Sequence, residues 1–323
     1  MILTVTINPL LEHRLFFNSV NLGKSNRSNK DHFSAGGKGI NVSRQLNFLG
    51  VKNSAFTFLG GNNGKLLRHC LTDDKIDFTV LTTKSETRIA DLIIEESDNR
   101  ITTFFGLNCE ISSEESMEFK NRLDKMIYNC SIVIFSGSSP CIATDDIFPY
   151  GIELANKYDK ISILDTYGSH LKACIDAQPT VIHNNIEETE YSLGLSLNNE
   201  INKLNYLHDM YSKNIKMIFL TDGAELIYSS KFDFCYTIKP PQVKAIDPTG
   251  SGDAFVAGIA YGLENSIVFE EFVKIAAALG SANAASIKTC EVMQNELKQL
   301  VNKVSVSTIG KKMKIIDDSP NYF

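Results

Sequence analysis

The stretch Asp247-Pro248-Thr249-Gly250-Ser251-Gly252-Asp253-Ala254-Phe255-Val256-Ala257-Gly258 places a turn of small residues directly before a helical pattern. The apolar residues recur at helical spacing: Phe255, Val256, Ile259, Ala260 and Leu263. The first N–H groups of such a helix lack intrahelical acceptors, and together with the helix dipole they form an anion site. Because Gly250 and Gly252 have no Cβ, a phosphate group can come close to the backbone there.

Asp253 adds one carboxylate at the mouth of this anion site. In that position it would lie beside the negative charge that develops when a group is transferred. We expect its pKa to be low, because the helix dipole favours the charged form. The alternative is a capped helix in which the aspartate only complements the dipole. The turn does not decide between these interpretations without the rest of the chain.

Composition limits the class of protein. With 323 residues, 43% of them hydrophobic, the chain is typical of a globular protein with one large α/β domain or two small ones. The formal net charge is −6 and no long run of Lys or Arg occurs, which argues against a nucleic-acid partner. A phosphate ligand would therefore be held by local backbone donors and a few cations.

The cysteines and the N-terminus predict a cytoplasmic protein. Seven cysteines are scattered without a Cys-x-x-Cys pair, which favours a reducing compartment over a disulfide framework. Residues 1–5 have neither the basic nor the apolar region of a signal peptide. The most apolar late stretch, residues 272–287, contains Lys274 and is too short to span a membrane.

Short apolar strands alternate with helical patterns over most of the chain. Residues 114–129, 145–158 and 186–193 read as helices, and residues 2–8, 131–135, 161–165, 179–182 and 215–220 read as strands. This alternation predicts a mostly parallel sheet covered by helices on both faces. Polar residues follow the strands at Asn8, Ser136, Asp165, Asn185 and Thr221, so we expect a ligand site at that edge of the sheet.

Two further segments depart from this alternation. Gly36-Gly37-Lys38-Gly39-Ile40-Asn41-Val42 is a second entry from glycine into a helix, which stops at Gly50. The extended runs 90–96 and 101–106 form a hairpin pattern between βα units. We expect this hairpin to be an inserted flap outside the main sheet.

Common nucleotide-binding and hydrolase motifs do not fit. Neither glycine-rich turn supplies Gly-x-Gly-x-x-Gly/Ala, and no Gly-x-Ser-x-Gly is present. Gly64-Lys65 lacks the earlier glycine and the following hydroxyl of a P-loop. The six histidines have no metal-ligand spacing with the cysteines.

The two glycine-led helix entries, in this order and about two hundred residues apart, resemble the signatures of the PfkB (ribokinase-like) carbohydrate kinases. Between them, Thr87-Arg88-Ile89, Ser136-Gly137-Ser138-Ser139-Pro140, Leu164-Asp165-Thr166 and Asn185-Ile186-Glu187-Glu188 follow the order of that family. Ile7-Asn8-Pro9 and Thr87-Arg88-Ile89 resemble the branch of 1-phosphofructokinase and tagatose-6-phosphate kinase. The likeness covers nearly the whole chain.

The resemblance implies a three-layer ribokinase-like α/β fold over residues 1–323, with one domain and a small β-sheet lid from residues 12–35 and 88–106. It implies ATP-dependent phosphorylation of a hydroxyl of a sugar phosphate, of the fructose 1-phosphate or tagatose 6-phosphate class. Asp253 would be the base, and the N–H groups of Gly250, Ser251 and Gly252 would stabilise the γ-phosphoryl group. Proton loss comes late in a loose phosphoryl-transfer transition state, so a weak base suffices.

On the nucleotide side, the resemblance carries ATP binding over to Thr221, Gly223, Ala278 and Asn283, with Asn185 and the Gly250–Gly252 turn. Asn185 and Glu188 match the family's Asn-x-x-Glu, which would place Mg²⁺ through water molecules. Two alternatives stay open here. Glu188 could be an exposed helical carboxylate, and the alanines near Ala278 could serve close helix packing.

On the sugar side, the resemblance assigns substrate contacts to Glu12, Gly37, Lys38, Asn41, Arg88 and Ser138. Arg88 is the first candidate for the substrate phosphate, because a guanidinium can bind it with two hydrogen bonds; Arg27 and Lys38 are further candidates. Glu12 stands where the family has aspartate, Ala90 where the branch has asparagine, and His183-Asn184 where Lys-Pro is usual. The segment 104–108 lacks the usual glutamate. These departures fall mostly on the sugar side.

The lid carries four aromatic residues, Phe16, Phe17, Phe104 and Phe105, which are candidates for a homodimer interface or for a cover over the active site. Two rival functions remain open: a kinase of the same superfamily for an unphosphorylated sugar or nucleoside, and a non-catalytic sensor of sugar phosphates. Arg88 argues against the first, since a neutral substrate needs no arginine in the lid. Asp253 and its turn argue against the second.

Overall fold

A computed structural model of the chain describes residues 1–98 and 100–310. Its strands, in chain order, are β1 (Ile2–Thr6), β2 (Leu10–Phe17), β3 (Lys30–Gly36), β4 (Asn53–Gly60), β5 (Phe78–Thr83), β6 (Ile89–Glu95), β7 (Arg100–Phe105), β8 (Ile132–Ser136), β9 (Ile161–Asp165), β10 (Val181–Asn185), β11 (Met217–Thr221), β12 (Ile227–Lys231), β13 (Phe234–Lys239) and β14 (Ser305–Ile309). Its α-helices are α1 (Lys38–Phe48), α2 (Gly61–Asp73), α3 (Ser113–Tyr128), α4 (Ile147–Lys157), α5 (Leu171–Asp176), α6 (Ile186–Leu193), α7 (Glu200–Ser212), α8 (Ser251–Glu264), α9 (Phe269–Ala284) and α10 (Gln294–Val301).

The main sheet has ten strands in the order β14-β13-β12-β11-β10-β9-β8-β1-β4-β5. The strands from β11 to β5 in this order run parallel, and β12, β13 and β14 pair antiparallel beyond β11. The central strands β1 and β8 are buried along their whole length, as expected for apolar strands covered by helices on both faces. The predicted α/β fold with a mostly parallel sheet is confirmed.

The predicted flap is also confirmed as a separate sheet. Its four strands lie in the order β3-β2-β6-β7, with β2 parallel to β6 and antiparallel to β3. We call this sheet the lid. Phe16 and Phe17 are buried, whereas Phe104 and Phe105 are 60% and 66% exposed, so only the latter pair remains available for a partner.

The helices begin and end largely where local signals place them. Ser112 and Glu115 form a capping box that starts α3, within one residue of the predicted start. Gly194 adopts a left-handed conformation and ends α6. Helices α8 and α9 pack closely because a Cβ on Gly258 would lie only 2.5 Å from Cα of Ala276.

Two details of the sequence interpretation are wrong. Residues His183, Asn184 and Asn185 were expected to follow a strand, but they form its last three positions, where they pair with β11. The pattern of residues 225–228 and 234–238 predicts an antiparallel pair at the edge of the sheet, but β14 pairs with β13 on its outer side. Within the described residues, no helix is both long enough and apolar enough to cross a membrane.

Candidate active site

The candidate site lies where the main sheet changes its direction of winding. From β1 the chain continues through the lid to β4 and β5 on one side, and later builds β8, β9 and β10 on the other. Ligands of open α/β sheets bind at the carboxyl ends of the strands at such a switch point. Asn8 after β1 donates a hydrogen bond to Oγ of Ser138 after β8, over 3.1 Å. Both are polar residues that the sequence predicted at this edge.

The turn before α8 faces this edge and carries Asp253. Gly250 is the N-terminal cap residue of α8 and has φ of 79°, a left-handed conformation that favours glycine. Asp253 lies in the first helical turn and is only 5% exposed. Its Oδ2 accepts a hydrogen bond of 2.8 Å from Nδ2 of Asn41 on α1. The two glycine-led helices therefore meet at Asp253.

The backbone N–H groups that lack an acceptor in this turn differ from the three named from the sequence, which were those of Gly250, Ser251 and Gly252. The Ser251 N–H donates to the carbonyl oxygen of Pro248 over 3.1 Å, so this amide already has an acceptor within the turn. Among the hydrogen bonds of residues 1–98 and 100–310, the N–H groups of Gly250, Gly252 and Asp253 have no acceptor. These three donors at the start of α8 are available to an anion.

The expected low pKa of Asp253 is also wrong. Burial, followed by repulsion from the Asp165 carboxylate, raises the pKa of Asp253 to about 7. Lys38 and the hydrogen bond from Asn41 act in the opposite direction, and Glu188 adds to the repulsion. The helix dipole, on which the expectation rested, is outweighed by loss of water and by a neighbouring negative charge.

A charge cluster surrounds Asp253. Lys38 Nζ lies 2.9 Å from both carboxylate oxygens of Glu188 and 3.6 Å from Oδ1 of Asp165. Burial acts to lower the pKa of Lys38, but the two carboxylates raise it well above its usual range. Lys38 therefore stays charged, with its ammonium group between Glu188 and Asp165.

Asp165 is held ionised by its neighbours although it is 1% exposed. Burial acts to raise the pKa of Asp165, whereas Lys38 and the hydrogen bond with His183 lower it. His183 Nδ1 lies 3.1 Å from Asp165 Oδ1, and its Nε2 lies 3.2 Å from Oγ1 of Thr221. His183 also lies beside the anion site, because a Cβ on Gly252 would contact its ring at 3.2 Å. His183, one of the two residues that stand where the family has Lys-Pro, thus links the ends of β9, β10 and β11.

Residues predicted to bind ATP separate into two groups. Thr221 and Gly223 lie at the end of β11, with Thr221 partly buried and Gly223 exposed. Ala278 is fully buried in the core, and Asn283, also fully buried, donates to Thr249 O and Ser251 Oγ and accepts from the Cys290 N–H. In this structure Ala278 lies in the hydrophobic core and Asn283 braces the turn before α8, and their contact with ATP stays a prediction.

The sugar-side residues also meet at this site. Glu12 is 5% exposed, and its Oε2 accepts from Arg14 and Ser34 of the lid, which leaves Oε1 for a ligand. Gly37 has φ of 121° and precedes α1, so its amide end faces the same space. Asn41 bonds Asp253 through Nδ2 and accepts from Arg44 through Oδ1, so both its polar atoms are used. In this structure Asn41 orients the Asp253 carboxylate.

Arg88 lies at the lid margin in neutral surroundings. Its Nε and Nη2 donate to the carbonyl oxygens of Pro9 and Asn8, and its Nη1 donates to Asn108 Oδ1. Burial lowers the pKa of Arg88, and within the part of the chain that the structure describes no carboxylate forms an ion pair with it. A guanidinium has five N–H donors, so two remain for an anion. Arg27, the other candidate, lies in the exposed connection between β2 and β3.

Three residues of the site were not singled out from the sequence. Asn108 accepts hydrogen bonds from both Asn8 and Arg88. The Tyr167 ring lies 4.9 Å from Nζ of Lys38. Arg14 reaches from the lid to the segment after α9. No local spacing indicates these three residues, because each contact joins segments far apart in sequence. The sequence pointed to residues 104–108 only as a departure from the family pattern.

Comparison with known proteins agrees with this geometry. Residues 12–296 match the model of the pfkB family carbohydrate kinases. A tagatose-6-phosphate kinase of Staphylococcus epidermidis is 31% identical over 309 residues, which cover 95% of this chain and 99% of that protein.

Solved structures share the fold at lower identity. Escherichia coli phosphofructokinase-2, crystallised with potassium, has a TM-score of 0.87 at 22% identity and covers 94% of this chain and 98% of its own. A Thermotoga maritima protein described as a "possible 1-phosphofructokinase" has a TM-score of 0.87 at 23% identity and covers 96% and 99%. These likenesses support the fold, and the family match extends over most of the chain. The chain belongs to the pfkB family of carbohydrate kinases.

Proposed function

We propose that this protein transfers the γ-phosphoryl group of ATP to a hydroxyl group of a sugar phosphate of the fructose 1-phosphate or tagatose 6-phosphate class. The observation that carries the proposal is Arg88, a partly buried guanidinium with no carboxylate partner among the described residues and with donors to spare. A buried cation without a counter-charge is costly, and a phosphate group on the substrate would supply that charge.

The base of the proposed reaction is Asp253. The sugar hydroxyl oxygen forms a bond to the γ-phosphorus while the bond from that phosphorus to the bridging oxygen of ADP breaks. The hydroxyl proton passes to Asp253, and the electron pair of the broken bond leaves with ADP. A base whose pKa lies near the working pH is well suited to this transfer. Raised basicity makes Asp253 a better acceptor than the sequence suggested.

The amides of Gly250, Gly252 and Asp253 would hold the migrating phosphoryl group, because all three are free donors at the positive end of α8. His183 and Thr221 border the same space and would line the nucleotide phosphates. Lys38, between Glu188 and Asp165, is a cation within this cluster that could compensate phosphate charge. Each group acts on charge that develops during transfer.

Magnesium fits the acidic side of this cluster. Within residues 1–98 and 100–310, no three His, Cys, Asp or Glu side chains form a direct coordination cage, but Mg²⁺ keeps most of its water shell and needs few protein ligands. Glu188 would hold the hydrated ion. Asn185 contributes less than expected, since its Oδ1 accepts from the N–H groups of Glu187 and Glu188 as the cap of α6. When bound, Mg²⁺ would neutralise negative charge on the ATP phosphates.

The deciding experiment is a substrate panel with MgATP. Phosphorylated ketohexoses, their unphosphorylated parents and nucleosides are each assayed for ADP formation and for the phosphorylated product. We expect turnover only with phosphorylated ketohexoses. Turnover of neutral sugars or nucleosides alone would contradict the proposed substrate class, and binding of sugar phosphates without any turnover would indicate a sensor.

The lid would cover the sugar and exclude water, which otherwise accepts the phosphoryl group. A second copy of the chain could pack on the exposed Phe104 and Phe105 of the lid, as predicted for a homodimer. Sedimentation at micromolar concentration tests this assembly, and a monomer would contradict it. The rest of the proposal does not depend on the outcome.

A further inference from the structure

We propose that Arg14 is a positioning residue that latches the lid to the segment Ser286–Cys290, so that closure over the sugar and the seating of the phosphate-binding turn occur together. This inference rests on the proposed function for its role in the reaction. Its structural part rests on contacts that exist without any ligand. Arg14 was not among the residues suggested by the sequence.

Arg14 lies on β2, two residues after Glu12 and therefore on the same face of the lid. It is 4% exposed, which is unusual for an arginine. Its Nε and Nη2 donate to Oε2 of Glu12 over 3.2 and 3.1 Å. The guanidinium thus fixes the carboxylate that the proposed function assigns to the sugar.

The other side of the same guanidinium contacts the body of the protein. Nη1 donates to the carbonyl oxygen of Ile287 over 3.0 Å, and Nη2 donates to Oγ1 of Thr289 over 2.8 Å. Nη1 also lies 3.8 Å from Oδ2 of Asp247, a buried oxygen that has no hydrogen-bond partner among the described residues. Oδ1 of Asp247 caps the turn by accepting from the Thr249 N–H. Arg14 therefore supplies a positive charge at the start of the phosphate-binding turn.

The segment that Arg14 holds packs directly on that turn. A Cβ on Gly250 would lie 2.4 Å from Cγ2 of Thr289, and Sγ of Cys290 donates to the Gly250 carbonyl oxygen. Thr289 consequently sets how far Gly250 can move. An opening of the lid that carries Arg14 away would remove the hydrogen bonds to Ile287 and Thr289 together and would loosen the contact at Gly250.

The consequence is an interlock. With the lid closed, Arg14 joins the Glu12 carboxylate to the segment that packs on Gly250. With the lid open, Arg14 and Glu12 stay together on β2, and residues 286–290 lose their hydrogen bonds to Arg14. A kinase gains from such coupling, because a phosphate-binding turn that is complete only under a closed lid transfers less phosphoryl group to water.

Two variants test the latch. Arg14→Met keeps the length of the side chain but removes its donors, and Thr289→Val keeps the shape at Gly250 but removes the acceptor. Arg100→Met is the matched control: Arg100 is also a lid arginine, but its hydrogen bonds go to Glu95 within the lid. Thermal melting confirms that each variant is folded, and Thr289→Val decides the test where Arg14→Met is unstable.

Hydrogen exchange of the ligand-free protein is the first measurement. In the wild type we expect residues 10–17 and 286–290 to exchange through one shared opening, with similar protection and similar dependence on denaturant. Both latch variants should lower the protection of 286–290 by about tenfold or more, and Arg100→Met should leave it unchanged. Unchanged protection of 286–290 in both latch variants would overturn the proposal.

The second measurement is the number of ADP molecules formed per phosphorylated sugar. We expect a ratio near one for the wild type and for Arg100→Met, and a ratio raised severalfold in both latch variants, because water gains access to the γ-phosphoryl group. If the variants merely contained less folded enzyme, the amounts of ADP and of phosphorylated sugar would fall equally. The ratio would then be unchanged, which would refute the interlock. If the wild type phosphorylates no sugar, the proposed function fails, while the exchange measurement still tests the latch.

Discussion

Nδ2 of Asn41 donates a hydrogen bond to Oδ2 of Asp253 over 2.8 Å, and this contact fixes which oxygen of the carboxylate is available. Oδ1 of Asp253 has no hydrogen-bond partner among the described residues, so it can accept a proton from a substrate hydroxyl. Arg44 in turn donates to Oδ1 of Asn41 over 2.8 Å and so sets the orientation of the amide. The Asp253 carboxylate is therefore oriented by α1, the helix that the first glycine-led entry begins.

The first prediction concerns the variant Asp253→Asn. It keeps the shape of the side chain but cannot accept the hydroxyl proton, so we expect kcat to fall by about 10³-fold, within the usual range for a general base. ATP affinity should change little, because the free amides of Gly250 and Gly252 remain. Steady-state kinetics and calorimetric ATP binding check both parts; near-normal kcat would contradict the assigned base.

The same variant should be more stable at alkaline pH, which is the second prediction. The pKa of Asp253 is raised in the folded protein to about 7 from an ordinary value of 3.8, so the folded state binds the proton more tightly than the unfolded state. The carboxylate therefore destabilises the fold increasingly as pH rises from 3.8 through about 7.

Asparagine has no such titration, so the free energy of unfolding of Asp253→Asn should exceed that of the wild type at pH 8 and approach it near pH 4. Urea unfolding at both pH values measures this difference. The variant also removes the repulsion between Asp253 and Asp165, which adds to the difference at pH 8. An equal difference at both pH values would contradict the raised pKa.

The third prediction concerns the pH dependence of kcat/KM. Asp253 must be ionised to accept a proton, so kcat/KM should rise with pH and level off above about 7. Lys38 lowers the pKa of Asp253, so Lys38→Met should move the midpoint to higher pH, whereas Lys38→Arg should keep it near the wild-type value. A midpoint that is the same in wild type and Lys38→Met would show that the measured ionisation belongs to another group.

The fourth prediction concerns Arg88. Replacing it by methionine removes charged hydrogen bonds to the substrate phosphate, each worth roughly 1.5–3 kcal/mol, so KM for the sugar phosphate should rise about 10- to 100-fold. The same change at Arg27, in the exposed connection before β3, is the matched control and should have a smaller effect. Kinetics that vary the sugar phosphate and ATP separately decide the matter; an equal rise of KM for both would show that Arg88 only supports the fold around Asn8 and Pro9.

Much of the fold could be predicted because its signals are local. The apolar strands, the Ser112 cap of α3 and the polar ends of the strands each depend on a few neighbouring residues. Helix α2 was missed because Gly61-Asn62-Asn63-Gly64 reads as a loop, yet here it begins a helix after Gly60. The last strand, β14, was missed because its residues are mostly exposed and lack a buried alternating pattern.

The site was predictable in its membership but not in its energetics. Asp253, Asn41 and Arg88 could be named from motifs, but the raised pKa of Asp253 depends on Asp165, which is brought close only by the sheet. The burial of Asn283 and the reach of Arg14 to Thr289 likewise depend on how α9 and the lid pack. Contacts between distant segments leave no spacing in the sequence, so local reasoning could not find them.

The last prediction distinguishes two effects of placing a side chain at Gly250. One is the backbone strain of a left-handed conformation, and the other is the clash with Thr289 in the segment that Arg14 holds. Gly250 and Gly194 both have positive φ, 79° and 65°, so alanine at either position should cost about 1–2 kcal/mol in backbone strain. They differ in surroundings: a Cβ at 250 meets Thr289 at 2.4 Å, whereas a Cβ at 194 has no atom within 4 Å.

Gly250→Ala should therefore displace Thr289 or the turn itself, and kcat should fall by about 10²-fold, as expected when catalytic donors move by an ångström. Gly194→Ala should lose similar stability but keep its kcat, because it lies at the end of α6 away from the free amides. Urea unfolding and steady-state kinetics on both variants measure the two effects. Equal kcat in the two variants would mean that the packing of Thr289 on Gly250 does not position the phosphate-binding turn, since backbone strain alone would then account for both.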